Sequence, residues 1–497
     1  MKKVIFCLFC VFILISFSFI IAGEEKPAAK SITKHAIKIG GSTIEYTATA
    51  GKIPIMDENN GKVMAEIFFI AYTKNGVTND SKRPLLFSFN GGPGSSSVWM
   101  HMAFLGPRKV LYDDEGFALQ PPYELVDNEY SILDKTDIVF IDPVATGYSR
   151  MAKGEDLHKY HGVMEDIESV AEFIRMYVTR NNRWDSPKFI IGESYGTTRA
   201  AGLTGYLQSR LNMYINGTIL VSTMTIGFGP GDDLSYMTIL PHYTATAYYH
   251  QQLAADLQSK PLREVLDEAE EFAMGDYTLA LVKGNKLTPE EISQTADKIA
   301  RYTGLSKNYI INSNLRVSRT RFRKELLRNQ QLTVGRLDSR YKGIDKDAAG
   351  EMNEYDPAMA HWSGAFTGTL NTYLREELKY ETDLKYNIFG NVRPWKQLQS
   401  SRTSMMMRQP SSVGEMLRQA MTQNEYLRVF VLEGYYDGAC DYFGAEYSFS
   451  HLDVAGKFKD RVKFGFYECG HMMYLRKADL AKAKQDLVDF IDSTTKK

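Results

Sequence analysis

Phe189, Ile190 and Ile191 form a short apolar run that leads directly into Gly192-Glu193-Ser194-Tyr195-Gly196. No other stretch of the chain restricts the fold so tightly. An apolar strand that ends in G-x-S-x-G and continues as a helix over 197–207 describes a sharp strand-to-helix turn. Such a turn lifts Ser194 above the end of a sheet, and the flanking glycines let the backbone approach closely without a Cβ clash. Comparable apolar runs at 84–89, 137–141 and 218–221 alternate with helical patterns. Between two of them, Val163, Ile167, Val170, Ile174 and Val178 mark one face of an amphipathic helix. Buried strands separated by helices predict a largely parallel sheet covered on both faces, an α/β class.

Three other regions complete the organisation. Alternating segments over 31–73, broken at Asn59-Asn60-Gly61, predict a β-meander ahead of the main body. From 227 to 394 strand signals are sparse and helices dominate. Thr288, Pro289 and Glu291 there spell a capping box with proline at the first helical position; Ile292, Ala296 and Ile299 supply the buried face, and Gly304 ends the helix. Sheet character returns at 428–432 and 462–467, and a last helix carries Leu480, Ala483, Leu487, Phe490 and Ile491 on one face.

At the N-terminus Lys2 and Lys3 precede an apolar run over 4–22 that breaks at Gly23-Glu24-Glu25, the layout of a signal peptide; an uncleaved anchor is the alternative. The expected organisation is therefore a signal peptide (1–23), the N-terminal part of the core (24–226), an inserted helical cap (227–394) and the C-terminal part of the core (395–497). Cys7 and Cys10 fall in the leader, so only Cys440 and Cys469 remain after processing and the fold depends on its core rather than on disulfides. A net charge of −1 provides no electrostatic footprint for nucleic acid.

A serine nucleophile needs a base, and the base an orienting carboxylate. In the α/β-hydrolase fold the chain order is Ser, then Asp or Glu, then His, each just past a strand. His471 follows the 462–467 strand through Glu468-Cys469-Gly470, and Asp437 follows the 428–432 strand through Glu433-Gly434-Tyr435-Tyr436; Asp441 is the rival acid. His451 reads as a surface residue of a helix. The glycine-rich Asn90-Gly91-Gly92-Pro93-Gly94 follows the 84–89 strand but lacks the spacing of a nucleotide loop, and in a hydrolase this position supplies an oxyanion-binding N–H. Without H-E-x-x-H, and with His158 and His161 read as a solvated helix start, no metal or other cofactor is expected.

Taken in chain order, five blocks resemble the signature blocks of the serine carboxypeptidases (peptidase family S10). They are Asn90-Gly91-Gly92-Pro93-Gly94 with Ser95, Ser96 and Ser97; Asp142-Pro143 with Gly147-Tyr148-Ser149; Gly192 to Gly196; Gly434 to Asp437; and Gly470-His471-Met472. The resemblance implies a triad of Ser194, Asp437 and His471, oxyanion donors at Gly92 and Tyr195, and a site for the substrate's terminal carboxylate at Asn90, Gly91 and Glu193. It implies peptide C-termini as substrate, with ester hydrolysis or acyl transfer by the same triad as the alternative. Glu193 makes independent sense: two carboxylates in contact cannot both be ionised cheaply, so one keeps a proton and hydrogen-bonds the other.

This chain also departs from the family pattern. Ser88 stands where relatives have Trp, Ser95 where they have Cys, and Phe104 where the Glu partner of Glu193 would fall; the Gln between Asp142 and Pro143 is missing. The carboxylate-reading site is thinner for it. Cys440 and Cys469 flank the triad loops and are expected as unpaired buried thiols; a bridge closing about 28 residues is the alternative.

Overall fold

The structure is a computed structural model that describes residues 30–57, 59–225, 229, 231–398 and 412–495. The expected signal peptide lies outside the described residues. The expected meander is Ser31–Ile39 (β1), Ser42–Met56 (β2) and Val63–Lys74 (β3), paired antiparallel throughout. The predicted apolar runs follow as Leu85–Phe89 (β4), Asp137–Ile141 (β5), Lys188–Glu193 (β6), Gly217–Val221 (β7), Arg428–Gly434 (β8) and Val462–Tyr467 (β9). They assemble in the order β1-β2-β3-β5-β4-β6-β7-β8-β9, with β5 through β9 mutually parallel along that path and β3 antiparallel to β5. The short pair Arg150–Met151 adds a tenth strand beside β3.

The period of two along each parallel strand sorts its side chains onto two faces. Leu86, Ile138, Phe189, Ile191, Ile219 and Phe430 enter one apolar cluster; Phe87, Val139, Ile190, Leu220, Val429 and Val431 enter the other. Helices Val163–Arg180 (α1) and Tyr195–Leu211 (α2) cover the second face. A third cluster spans Met237 to Val334 with Tyr436, Tyr442 and Phe443, built on helices that include Asp233–Tyr249 (α3), Pro289–Thr303 (α4) and Arg319–Glu325 (α5). The α4 cap is as expected: Thr288 and Glu291 form the capping box, and Gly304 adopts a left-handed conformation. A small hairpin, Leu332–Val334 with Lys342–Ile344, interrupts this helical region. Pro357–Thr372 (α6) then leaves it to pack Trp362, Phe366 and Leu370 on the first face of the sheet, beside the C-terminal helix Lys477–Thr495 (α9). Between them in sequence lie Val413–Gln423 (α7), on the second face, and Tyr442–Leu452 (α8).

One histidine departs from expectation. His158 is exposed, but His161 is buried, with neither ring nitrogen hydrogen-bonded among the described residues. The cause is a crossing segment remote in sequence: Lys396 N donates to His161 O (3.0 Å) and Val163 N to Lys396 O (3.0 Å), covering what local sequence presents as a solvated helix start.

At the opposite end of the strands from Ser194, buried Asp137 accepts from the buried Arg183 Nη1 (2.6 Å) and from the half-buried Arg83 Nε (2.8 Å) and Lys74 N (3.0 Å). Removing one partner of a buried pair leaves the other charge uncompensated, at about 3–5 kcal/mol. Asp137→Ala should therefore lower the urea midpoint of unfolding substantially, whereas Asp492→Ala, which breaks the half-exposed Lys135 pair, should shift it by under about 1 kcal/mol. Equal small shifts would show that the Asp137 cluster does not anchor the sheet.

Candidate active site

Parallel strands present their carboxyl ends to one edge of the sheet, where α/β proteins place their ligands. Here β4 ends in Asn90-Gly91-Gly92, β6 in Ser194, β7 in Ser222, β8 in the loop to Asp437, and β9 in the loop to His471. The topology alone gathers residues more than 300 positions apart.

Ser194 has φ 59° and ψ −128°, a conformation that a residue with a Cβ adopts only under constraint. Its neighbours impose it. A Cβ on Gly192 would lie 2.1 Å from Gly196 O, and one on Gly91 would lie 2.4 Å from Tyr195 N, so only glycine allows the β4 loop to seat against the elbow. The Tyr195 N–H and the Gly91–Gly92 backbone are thereby brought side by side, and Gly92 sits at φ +102°.

Past β9, His471 Nδ1 bonds Asp437 Oδ2 at 2.6 Å, and both side chains are buried. Asp437 Oδ1 accepts from Ala439 N (2.8 Å) and Cys440 N (3.0 Å), which fixes the carboxylate plane. Burial opposes charging of His471, but the adjacent Asp437 carboxylate and the Cys440 thiol outweigh it and hold its pKa well above the ordinary histidine value. Among the described residues no hydrogen bond joins Ser194 Oγ to His471. Their spacing is set by backbone instead: Ser194 N donates to Val221 O (2.9 Å), and the next residue, Ser222, donates through Oγ to His471 O (2.7 Å). Nucleophile–base bonds are often loose before substrate arrives.

Asp441, the rival acid, is placed elsewhere. It caps α8 through Gly444 N (2.8 Å) and pairs with Arg319. Cys440 and Cys469 are both free and buried. The Cys440 thiol hydrogen-bonds His471; Cys469 instead accepts from Arg340 Nη2 (2.8 Å), whose partner Asp338 also accepts from Gly470 N (3.2 Å) and steadies the histidine loop. Donor atoms of Asp437, Cys440 and His471 lie within 4.8 Å of one another, but the Asp437–His471 bond already occupies two of them. His451 is exposed on α8, as its sequence position suggests.

Glu193 is buried beside the nucleophile. Its Oε1 accepts from Asn90 Nδ2 (2.8 Å) and its Oε2 from the Tyr474 hydroxyl. Burial pushes its pKa up to about 7, against the lowering influence of His471 and of the Tyr474 and Asn90 hydrogen bonds. Sequence reasoning did not find Tyr474. Phe104, at the position where a second carboxylate was anticipated, instead stacks its ring on Tyr474 (centroids 4.8 Å apart, 7° between planes). A phenol in contact with Glu193 replaces an acid in contact with it.

A second set of contacts also escaped the sequence. Arg199, fully buried in α2, donates to Asn90 O (2.7 Å) and to Asp166 Oδ2 (2.7 Å), and Asp166 also accepts from Tyr195 OH (3.3 Å). One ion pair thus ties the β4 loop to the elbow. The Asp142 block is structural too: Asp142 Oδ1 accepts from Ser97 N (2.9 Å) and Ser97 Oγ (2.8 Å), and burial pushes its pKa up to about 6.

On an activated ester, Ser194→Ala or His471→Ala should lower kcat by about 10⁴-fold, with the double variant little worse than either. Asp437→Asn should be severe, and Asp441→Asn, which touches the Arg319 pair rather than the histidine, should cost far less. Steady-state kinetics on the five variants checks this; a larger loss in Asp441→Asn than in Asp437→Asn would transfer the acid role to that residue.

The chain is similar to known proteins along most of its length. Residues 49–467 match the family described as serine carboxypeptidase, peptidase S10. Over 156 residues the chain is 33% identical to the pheromone-processing carboxypeptidase KEX1 of Saccharomyces cerevisiae, a match covering 29% of this chain and 20% of that protein. Over 158 residues it is 29% identical to serine carboxypeptidase-like 35 of Arabidopsis thaliana, covering 31% of this chain and 30% of that one. These alignments thus span about a fifth to a third of the relatives they match. The crystal structure of the Saccharomyces cerevisiae Kex1 prohormone-processing carboxypeptidase superposes with a TM-score of 0.54 at 17% identity, covering 90% of this chain and 91% of that one, and shares its fold. With the family matched across more than four-fifths of its residues, this chain belongs to the serine carboxypeptidases of peptidase family S10.

Proposed function

We propose that this protein is an exported serine carboxypeptidase that removes residues from free peptide C-termini through an acyl-enzyme on Ser194. The observation that carries the reading is Glu193: a carboxyl buried next to the nucleophile, held by Asn90 and Tyr474 and able to keep its proton near neutral pH. A protonated carboxyl there donates to an incoming carboxylate, and with Asn90 and the Gly91 N–H it reads a free C-terminus.

The chemistry follows from the placement. Ser194 Oγ attacks the last peptide carbonyl, and its proton passes to His471 Nε2. The Gly92 and Tyr195 N–H groups receive the developing oxyanion. Asp437 holds the imidazole tautomer and steadies the imidazolium. His471 then returns the proton to the leaving amine as the C–N bond breaks, which frees the C-terminal amino acid. Water adds to the acyl-enzyme with the same base, and the shortened peptide leaves as Ser194 recovers its proton. Export rests on the 1–23 segment; among the described residues no helix is long and apolar enough to cross a membrane. The alternative, esters or acyl transfer on the same triad, draws on Phe104, which leaves Glu193 without the second acid of the family pattern.

The test is the ratio of kcat/KM for a peptide acid to that for its C-terminal amide, measured from pH 5 to 9. A raised Glu193 pKa means the proton is present below about 7 and lost above it, so the ratio should exceed one and fall as pH rises through about 7. Tyr474→Phe removes a hydrogen bond that favours the ionised form, so its fall should move to higher pH; Glu193→Gln should flatten the profile. A wild-type ratio near one at every pH would favour the ester reading.

A further inference from the structure

Beside Cys440 a cavity of about 360 Å³ opens between the loop after β8 and the helical region. Ala439 and Cys440 form one wall, and Tyr243, Arg319, Arg323 and Arg336 stand among the others. Its described lining thus holds three arginines and no aspartate or glutamate.

The three cations are not equivalent. Arg319 is neutralised by Asp441 and donates through Nη1 to Gly438 O (3.1 Å) and Ala439 O (3.1 Å), which join this wall to the triad loop. Arg336 is half-exposed and lies 3.9 Å from Asp356. Arg323 is different. It is only 8% exposed; among the described residues its Nε has no hydrogen-bond partner, and its one side-chain bond is Nη2 to Thr320 Oγ1 at 3.3 Å. Among the described residues no carboxylate pairs with it. Burial above all makes its charge costly; Arg336 and Arg319 add to the cost, and Tyr243 and the more distant Asp356 offset it only in part. A buried cation without a counter-ion is an expensive arrangement that an anionic ligand relieves. Arg319 and Arg323 are four residues apart on α5 and so share its cavity face.

The cavity's place relative to Ser194 indicates what fills it. The residues that read the terminal carboxylate sit at the ends of β4 and β6, whereas the cavity lies beyond the ends of β7 and β8. A peptide anchored by its C-terminal residue over Asn90 and Glu193 extends its preceding residue across Ser194 toward Cys440. We propose that this cavity receives the side chain of the penultimate substrate residue, whose carbonyl Ser194 attacks, and that Arg323 selects an acidic side chain there. The inference rests on the carboxypeptidase reading and names its substrate class.

Blocked dipeptides that share one C-terminal residue and carry Glu, Gln, Leu or Lys at the penultimate position test it. Wild-type protein should hydrolyse the Glu substrate with kcat/KM at least about tenfold above Gln, the gain expected of a charge-assisted hydrogen bond in a shielded site, and should disfavour Lys most. In Arg323→Gln the Glu-to-Gln ratio should collapse toward one, and Arg323→Lys should restore part of it. Cleavage of the Leu substrate with no preference for Glu over Gln in wild type would overturn the assignment while leaving the carboxypeptidase reading intact. No cleavage of any of the four by a protein that still turns over an activated ester would overturn that reading, and this inference with it.

Discussion

The left-handed backbone of Ser194 is the constraint on which the rest of the site depends. A residue held at φ 59° and ψ −128° stores about 1–3 kcal/mol that its surroundings must supply. They do so from three directions. Val221 O binds the Ser194 amide from the neighbouring strand, the glycines at 91 and 192 allow backbones to approach within distances no Cβ would permit, and Arg199 ties Asn90 to the elbow through Asp166. Together these contacts hold the Tyr195 amide beside the Gly91–Gly92 backbone. The residues proposed as nucleophile and oxyanion donors therefore meet at one strained junction of β4, β6 and β7.

Around that junction the buried acids divide by environment. Asp166 and Asp338 face arginines, and Asp437 faces a histidine and two backbone amides. Among the described residues neither Glu193 nor Glu433 bonds an arginine or lysine, and burial raises both, Glu433 well above the ordinary range. Burial raises Asp166 as well, with Arg199 opposing it. In the proposed mechanism Glu193 is the acid that keeps a proton and His471 the base that accepts one.

Much of this was legible because it is local. Apolar runs of five or six residues, the G-x-S-x-G turn and the strand-end positions of Asp437 and His471 are all carried by neighbouring residues, as is the Thr288 capping box. What escaped is what only the folded chain brings together. Tyr474 reaches Glu193 across 281 positions, and nothing near Tyr474 marks it as a partner for an acid. Arg199 and Asp166 lie on separate helices with no shared motif. The burial of His161 depends on a strand-like contact with Lys396, which no pattern around residue 161 reports. That Arg323 is buried with its Nε unpartnered among the described residues is a property of the folded chain alone.

Mass spectrometry of a library of N-terminally blocked peptides, half of them free acids and half amides, tests the central claim most directly. The account predicts products shortened from the C-terminus one residue at a time, from the acids and not from the amides, and none from Ser194→Ala protein. Internal cleavage, or equal shortening of acids and amides, would contradict it.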